Sequence, residues 1–437
     1  MELSKYIIVQ ELNENAEAML LYQTRTTALV LLNKEQYNDI FIKRDFSDEG
    51  LVSQLSDMGF IVDSHNEELN VIIDTRRKFM EIGHQHLTIL TTTKCNAKCF
   101  YCFENGIEHY DMSLETADAT ISFIKNNFRE KVLSILWLGG EPLVNFDIIR
   151  YITTKLVAAG YEIITSVTTN GALLTKDMVD FFKKYSIRTT LQFSLDAAIN
   201  EEYYKIKRYE GLDEHNAFNH VIDNIKLSID SDLYTDIRFN FVSSKIQKAK
   251  EVFKHVKSLL DNHDLSKTYI FLAPLDLNGG NEIISDFHGN IEHPYLQVVR
   301  TQQEMGFPIR AELQQDSNDI LASFALMPTC YVCGMTTKMK IVVDADGTLY
   351  KCHRFVGRKK FSCGDVTIGI DETSPSYLQF REVNITDEEC RNCSILPICQ
   401  SGCIAKREML GNSQKCHKIK QVQKQLVKMY YEAVTQK

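Results

Sequence analysis

Twelve cysteines are the residues of this chain best suited to chemistry, and they are placed unevenly. Cys95, Cys99 and Cys102 stand at C-x3-C-x2-C spacing just after the apolar run His86–Leu90. None falls between 103 and 329, and the other nine lie between Cys330 and Cys416. Cytosolic thiols are kept reduced, so such a chain reads as metal-binding or catalytic rather than disulfide-bonded. A cubane iron–sulfur cluster takes four thiolates. Three close ligands without a fourth describe a cluster with one iron open, and an open metal position can bind and activate a small molecule. A zinc knuckle short of one ligand is the competing reading. In the C-terminal group Cys390-x2-Cys393-x5-Cys399-x3-Cys403 is followed by Cys416 and preceded by Cys330, Cys333 and Cys352. Zinc favours two C-x2-C pairs around a short hairpin, which this run fits poorly. Cys363 stands apart from this run and reads first as a small buried hydrophobe, with a substitute ligand or a thiol near substrate as alternatives.

The elements that must position these thiols alternate. Strands are expected at His86–Thr92, Val132–Leu138, Tyr161–Thr168, Arg188–Leu195, Asp236–Val242 and Thr268–Ala273. Amphipathic helices are expected at Leu114–Arg129, Phe146–Ala159, Lys176–Tyr185, Phe218–Ser231, Lys248–Asn262 and Pro294–Met305. In Phe218–Ser231 the residues Phe218, Val221, Ile222, Ile225 and Ile229 recur at helical spacing. Repeated β-α units imply an α/β fold with a parallel sheet and right-handed crossovers. Ligands bind such sheets at the carboxyl ends of strands, where the cysteine triplet falls.

Residues 1–82 read as a small α+β domain: strands Tyr6–Val9 and Ala18–Tyr22, helices Leu32–Ile42 and Asp48–Met58, and a closing strand Gly59–Asp63. Residues 83–310 form the β-α domain, and 311–437 a C-terminal domain with a hairpin at Met339–Tyr350 and a polar helix at Lys415–Val434. The net charge of −9 speaks against non-specific nucleic-acid binding. No apolar stretch approaches the roughly 20 residues of a membrane span. The N-terminal Met1-Glu2-Leu3-Ser4-Lys5 lacks the basic-then-apolar pattern of a signal peptide, so a cytoplasmic location is expected.

Gly139-Gly140-Glu141-Pro142-Leu143 closes the second strand. Glycines there let backbone approach a ligand, and turn N–H and C=O groups can bind an amino-acid zwitterion. A plain strand-to-helix turn with Pro at the helix start is the alternative. Thr168-Thr169-Asn170-Gly171 ends the third strand, and Ser194-Leu195-Asp196 the fourth.

The triplet, with aromatic Tyr101 before its third cysteine, and the Gly139–Leu143 string together resemble the signature of the radical S-adenosylmethionine (radical SAM) enzymes. The resemblance implies a partial (β/α)6 barrel. Its open iron would chelate the methionine amino and carboxylate groups of S-adenosylmethionine (AdoMet), and reductive cleavage would yield a 5′-deoxyadenosyl radical. By the same resemblance Gly139, Gly140, Glu141 and Pro142 approach the AdoMet amino group. Asn170, Ser194 and Asp196 lie near its ribose and methionine, Arg208 faces its carboxylate, and Tyr101 its adenine. Asn240 on the fifth strand points either in or out.

The C-terminal cysteines resemble a SPASM domain, which implies two auxiliary [4Fe–4S] clusters and three clusters in all. The implied ligands are Cys330 or Cys333 with Cys352 and Cys403 for one, and Cys390, Cys393, Cys399 and Cys416 for the other. With Cys330 and Cys333 both used, each cluster has four thiolates. The N-terminal domain loosely resembles the winged-helix leader-binding domains of peptide-modifying members, and a plain structural extension is the alternative.

SPASM enzymes resemble one another in acting on peptides or proteins. The implied function is an oxidoreductase maturing a ribosomally made precursor peptide, with a thioether cross-link as product. A flavodoxin- or ferredoxin-like low-potential donor is the implied electron partner, with neither nucleic acid nor membrane involved. Epimerisation and carbon–carbon cross-linking are alternatives within that function. Formylglycine formation by an anaerobic sulfatase maturase is another; there an Asp follows the cysteine equivalent to Cys352, and here His353 does. A non-enzymatic iron–sulfur electron carrier is a third.

Overall fold

The computed structural model describes residues 1–12, 18–81, 85–102, 104, 106–242, 245–275, 294–304, 326–328, 333–382, 385, 387–410 and 418–435. They pack into two compact units, each drawn from more than one stretch of chain. One takes residues 1–82, 309–336 and 382–437; the other takes 83–308 and 337–381. The grouping is therefore not contiguous in sequence.

In the first unit β1 (Ile7–Glu11), β2 (Ala18–Gln23) and β3 (Leu29–Asn33) form an antiparallel sheet in that order. The helix expected from Leu32 begins only after Asn33. Leu29-Val30-Leu31-Leu32 pairs with β2 instead, which satisfies its backbone and buries Leu32. Asn33 then caps the short helix Lys34–Tyr37 in a reciprocal capping box with Gln36. Next come α1 (Glu49–Asp57), capped by Asp48, and α2 (His65–Glu81), whose 17 residues were not anticipated.

The second unit opens with β4 (His86–Leu90), β5 (Ala97–Cys99), α3 (Leu114–Asn127), β6 (Val132–Leu138), α4 (Phe146–Ala158), β7 (Glu162–Thr169), α5 (Lys176–Tyr185) and β8 (Arg188–Asp196). It continues with α6 (Asn200–Ile206), β9 (Lys207–Tyr209), α7 (Ala217–Asp230), β10 (Tyr234–Phe241), α8 (Ile246–Leu260), β11 (Thr268–Pro274) and α9 (Pro294–Glu304). Further along the chain β12 (Lys340–Val343) and β13 (Leu349–Tyr350) complete its main sheet. The main sheet runs β11-β10-β8-β7-β6-β4-β12-β13. All its pairings are parallel except β12 with β13.

Parallel neighbours need crossovers, and α3, α4, α5, α7 and α8 supply them, their starts set by caps such as Ser113 and Thr175. The anticipated stripe Phe218, Val221, Ile222, Ile225 and Ile229 is buried. The hairpin expected near 344–347 forms, with Gly347 at φ +90° and its N–H on Asp344 O at 2.9 Å. It extends the barrel's sheet beside β4, with Lys340 opposite His86.

The chain returns to the first unit with α10 (Glu388–Arg391), α11 (Leu396–Cys399), α12 (Ile404–Leu410) and α13 (Gln423–Thr435). Tyr6, Ile72, Ile385 and Leu396 share one buried cluster. The Tyr6 hydroxyl donates to Arg391 O at 3.2 Å, Thr24 Oγ1 donates to Ser394 O at 2.6 Å, and Tyr430 meets Tyr22 edge-on at 6.2 Å. Among the described residues no helix is long and apolar enough to cross a membrane.

Candidate active site at the barrel rim

Cys95, Cys99 and Cys102 lie on one loop past the carboxyl end of β4, where β5 pairs antiparallel with β9. Cys99 stands opposite Lys207, Lys98 opposite Arg208 and Ala97 opposite Tyr209. The pairing is extended by Glu210 N donating to Asn96 O at 2.7 Å. The thiol-bearing turn is thus stitched to the segment that follows β8.

Four strand ends reach this loop. After β6, Gly140 N donates to Thr92 O at 3.3 Å and Glu141 N to Lys94 O at 2.9 Å. A Cβ on Gly139 would collide with the Thr92 carbonyl oxygen, and one on Gly140 with that of Lys94. The two glycines are therefore explained first by backbone meeting backbone. The Glu141 carboxylate, 1 % exposed, accepts from Leu143 N at 3.1 Å, Thr169 Oγ1 at 2.8 Å and Asn170 N at 2.7 Å. It locks the ends of β6 and β7 together. Burial pushes its carboxyl up to about 7 against the pull of these hydrogen bonds. Pro142 starts a 3-10 turn, and its carbonyl accepts from Thr91.

After β7, Asn170 donates Nδ2 to Asn96 Oδ1 at 2.8 Å and lies 3.9 Å from Cys95 Sγ. Asp196, ending β8, accepts from the Tyr101 hydroxyl at 2.6 Å. Asn240 of β10, in register with Asp196, points inward and donates to the same hydroxyl at 3.3 Å. Ser194, half-buried on β8, offers its carbonyl to Lys207 Nζ at 2.5 Å.

Lys207 went unnoticed in the sequence, where it sits in a basic run with Lys205 and Arg208. Its ammonium lies 2.9 Å from Asp196 Oδ2, and both side chains are 1 % exposed. Burial pulls the ammonium down, but Asp196 and three tyrosines outweigh it and hold it well above its ordinary range. Tyr203 and Tyr209 share a 2.9 Å hydroxyl contact, and Tyr209 reaches Asn170 O at 3.1 Å. Arg208 is exposed. On a strand neighbouring side chains face opposite ways, so burying Lys207 and Tyr209 turns Arg208 outward. The one legible signal was the two-residue spacing of Lys207 and Tyr209.

Burial pushes the Cys95 thiol up to about 12 and the Cys99 thiol to about 11. The donors around them favour sulfur anions: Ala97 N lies 3.4 Å from Cys95 Sγ, and the Lys207 charge acts on Cys99. Among the described residues no three His, Cys, Asp or Glu side chains converge on a single metal ion. In a cubane each thiolate binds its own iron, so such ligands need not converge.

Of the C-terminal cysteines, Cys333, Cys390, Cys393, Cys399 and Cys403 fall in the first unit and Cys352 in the second. Arg407 Nη2 lies 3.7 Å from Cys390 Sγ. Cys330 and Cys416 lie outside the described residues. Cys363 is fully buried in the barrel core, its thiol on Leu349 O at 3.4 Å. His353, behind Cys352, is pulled down to about 4 by burial and by Arg354 and Arg238.

Residues 89–238 match the Radical SAM superfamily. A probable GTP 3′,8-cyclase of Saccharolobus islandicus is 33% identical over 224 residues, 51% of this chain and 67% of that one. The radical SAM cyclopropyl synthase TigE of Paramaledivibacter caminithermalis is 25% identical over 245 residues, 48% of this chain; the match spans only 52% of TigE, about half its length. Among solved structures, native anSMEcpe with AdoMet and the Cp18Cys peptide aligns with TM-score 0.59 at 18% identity, over 80% of this chain and 97% of that one. Streptococcus suis SuiB bound to precursor peptide SuiA aligns with TM-score 0.50 at 15% identity, over 92% and 95%.

The chain belongs to the radical SAM superfamily. Membership implies a [4Fe–4S] cluster and AdoMet. The rim loop fits that cluster: three thiols share one turn, with amide donors at sulfur and a buried ammonium opposite Cys99.

Proposed function

We propose that this chain is a peptide-maturing radical SAM enzyme that acts on a ribosomally made precursor, with a thioether cross-link as product. The observation that carries the reading is the cysteine loop at the barrel rim, held by side chains and backbone from β6, β7, β8 and β10. Cys95, Cys99 and Cys102 are the residues that would hold the cluster. When bound, it supplies the electron that cleaves AdoMet to a hydrogen-abstracting 5′-deoxyadenosyl radical. The chain's own residues orient and enclose. Glu141 fixes the turn after β6, Tyr101 is set by Asp196 and Asn240, and Lys207 neutralises Asp196 inside the wall. Enclosure matters because such a radical must meet its target carbon before anything else.

A peptide substrate is supported by the neighbours anSMEcpe and SuiB, both solved with peptides. SuiB was solved with a precursor peptide, and a leader-binding role is read for β1–β3 and α2 of the N-terminal stretch. The C-terminal cysteines are read as ligands of two auxiliary clusters. The anSMEcpe likeness favours formylglycine formation as the second reading. His353, in place of an acidic residue, weighs against it.

The test is anaerobic turnover of the iron-reconstituted chain with AdoMet, dithionite and the short peptide encoded beside its gene, read by mass spectrometry. A peptide lighter by two hydrogens, with a cysteine that no longer alkylates, is the expected product. The same loss with every thiol still alkylable means carbon–carbon closure. An aldehyde means formylglycine, and deuterium uptake without other change means epimerisation. No 5′-deoxyadenosine under strong reductant would leave an electron carrier.

A further inference from the structure

Two arginines of the first unit have no role in the reading above. Arg76, on α2, is 4 % exposed; its Nη1 donates to Gln400 O at 3.4 Å and its Nε has no partner. Arg407, on α12, reaches Cys390 Sγ through Nη2, and its buried Nε likewise has no partner. Burial pulls the Arg76 guanidinium down to about 10; Cys333 favours its charge and Arg407 opposes it. Among the described residues no carboxylate forms an ion pair with either guanidinium.

A buried and a half-buried guanidinium that repel one another, neither paired with a carboxylate among the described residues, are costly. Each has a thiol acting on it: Cys333 acts on Arg76, and Cys390 touches Arg407. Neutral thiols do not offset two cations. A cluster on thiolates does, because a cubane with four cysteine ligands is an anion. The backbone between Cys399 and Cys403 points the same way. Gln400 and Ser401 sit at φ +50° and +70°, ahead of Gly402 at +83°. Such left-handed residues persist where their surroundings over-determine them, and the Arg76 bond is made to Gln400 O.

We propose that Arg76 and Arg407 form a cationic clamp on an iron–sulfur cluster carried by the Cys390–Cys403 segment, so that seating of α2 depends on the cluster's charge. The inference rests on the C-terminal cluster reading above and adds to it. The N-terminal domain, through one side chain of α2, becomes a sensor of whether that cluster is loaded. An apo chain would then hold α2 loosely, whatever the state of the barrel-rim cluster.

The test uses the full chain carrying Cys95→Ala, Cys99→Ala and Cys102→Ala, so that bound iron and paramagnetic signals arise only from the other cysteines. After anaerobic reconstitution, iron and sulfide are assayed, the midpoint potential is followed by electron paramagnetic resonance, and amide exchange is read over α1 and α2. Chelating the iron is expected to deprotect α2 selectively, and reconstitution to restore it. Arg76→Gln is expected to lower the midpoint potential and to remove the iron dependence of α2 exchange, while Arg76→Lys keeps both near the parent. Equal α2 exchange with and without iron, or deprotection spread evenly over α1 and α2, overturns the clamp. The chelation arm needs no arginine variant, so a misfolded Arg76→Gln does not shelter the idea. Failure of the parent to bind iron overturns the C-terminal cluster reading, and the clamp with it. Iron bound with unresponsive exchange overturns the clamp alone.

Discussion

Lys207 and Asp196 show what one buried charge pair does at this rim. Lys207→Met leaves the buried Asp196 side chain without its cation, and is expected to cost about 3–5 kcal/mol in urea unfolding. Adding Asp196→Asn should recover much of that, since neither charge remains; a double variant no better than the single would show that the pair is not coupled. Gly140→Ala tests the close approach after β6. Its new Cβ would meet the Lys94 carbonyl, a backbone atom with little room to yield. We expect a stability loss of about 1–3 kcal/mol. The displaced cysteine loop should also slow peptide-independent 5′-deoxyadenosine formation by about 100-fold, as ångström misplacements do. Near-normal formation would mean that the loop tolerates the shift. Both sites contain residues that local reading could weigh only in part. Gly140 stood out as part of a motif, whereas nothing in the local sequence set Lys207 apart from Lys205 and Arg208.

At the scale of elements, β4 carries a pH dependence. His86 opens the strand, with Nδ1 3.1 Å from Ser134 Oγ on β6. Burial, with Lys340 alongside, pulls its imidazole down to about 4. The unfolded chain's histidine titrates near 6.5, so between these values the unfolded state holds more protons. The His86 contribution is therefore complete above pH 6.5 and is lost as pH falls toward 4. After a discount for solvent screening it amounts to about 2 kcal/mol. His86→Gln should flatten the stability profile over that window by this amount, measured as urea midpoints at matched pH; parallel profiles would count against it. The strands and helices of this unit were legible because their signals are local. Apolar runs marked the strands, and a 3.6-residue stripe marked α7. The stretch from Leu29 was less so, since Leu29-Val30-Leu31-Leu32 suits either element and pairing with β2 decided it.

Across the whole molecule, the two units divide the cysteines between them. The triplet Cys95→Ala, Cys99→Ala, Cys102→Ala should abolish 5′-deoxyadenosine formation and lower bound iron by about four per chain, the content of one cubane. Iron should remain on the C-terminal cysteines. Complete loss of iron in that variant would mean that the rim loop is the chain's only cluster site. The discontinuous grouping was not visible in sequence. Residues 337–381 join the barrel because β12 adds to β4, and the N-terminal sheet joins the C-terminal helices through Tyr6, Ile72 and Leu396.

The class of chemistry was readable from the chain alone because it is encoded locally. Three thiols fall within eight residues, a glycine pair stands at a strand end, and alternating elements imply a parallel sheet. Which residues serve that chemistry was decided by the tertiary structure. Tyr101, Asp196 and Asn240 come from distant stretches and meet only when strands stack in register. The pleat of β9 against β5 buries Lys207 rather than Arg208, and the packing of α2 leaves Arg76 without a carboxylate among the described residues. Burial and long-range pairing are properties of the folded whole, and they set the charge of each group far more than its neighbours in sequence do.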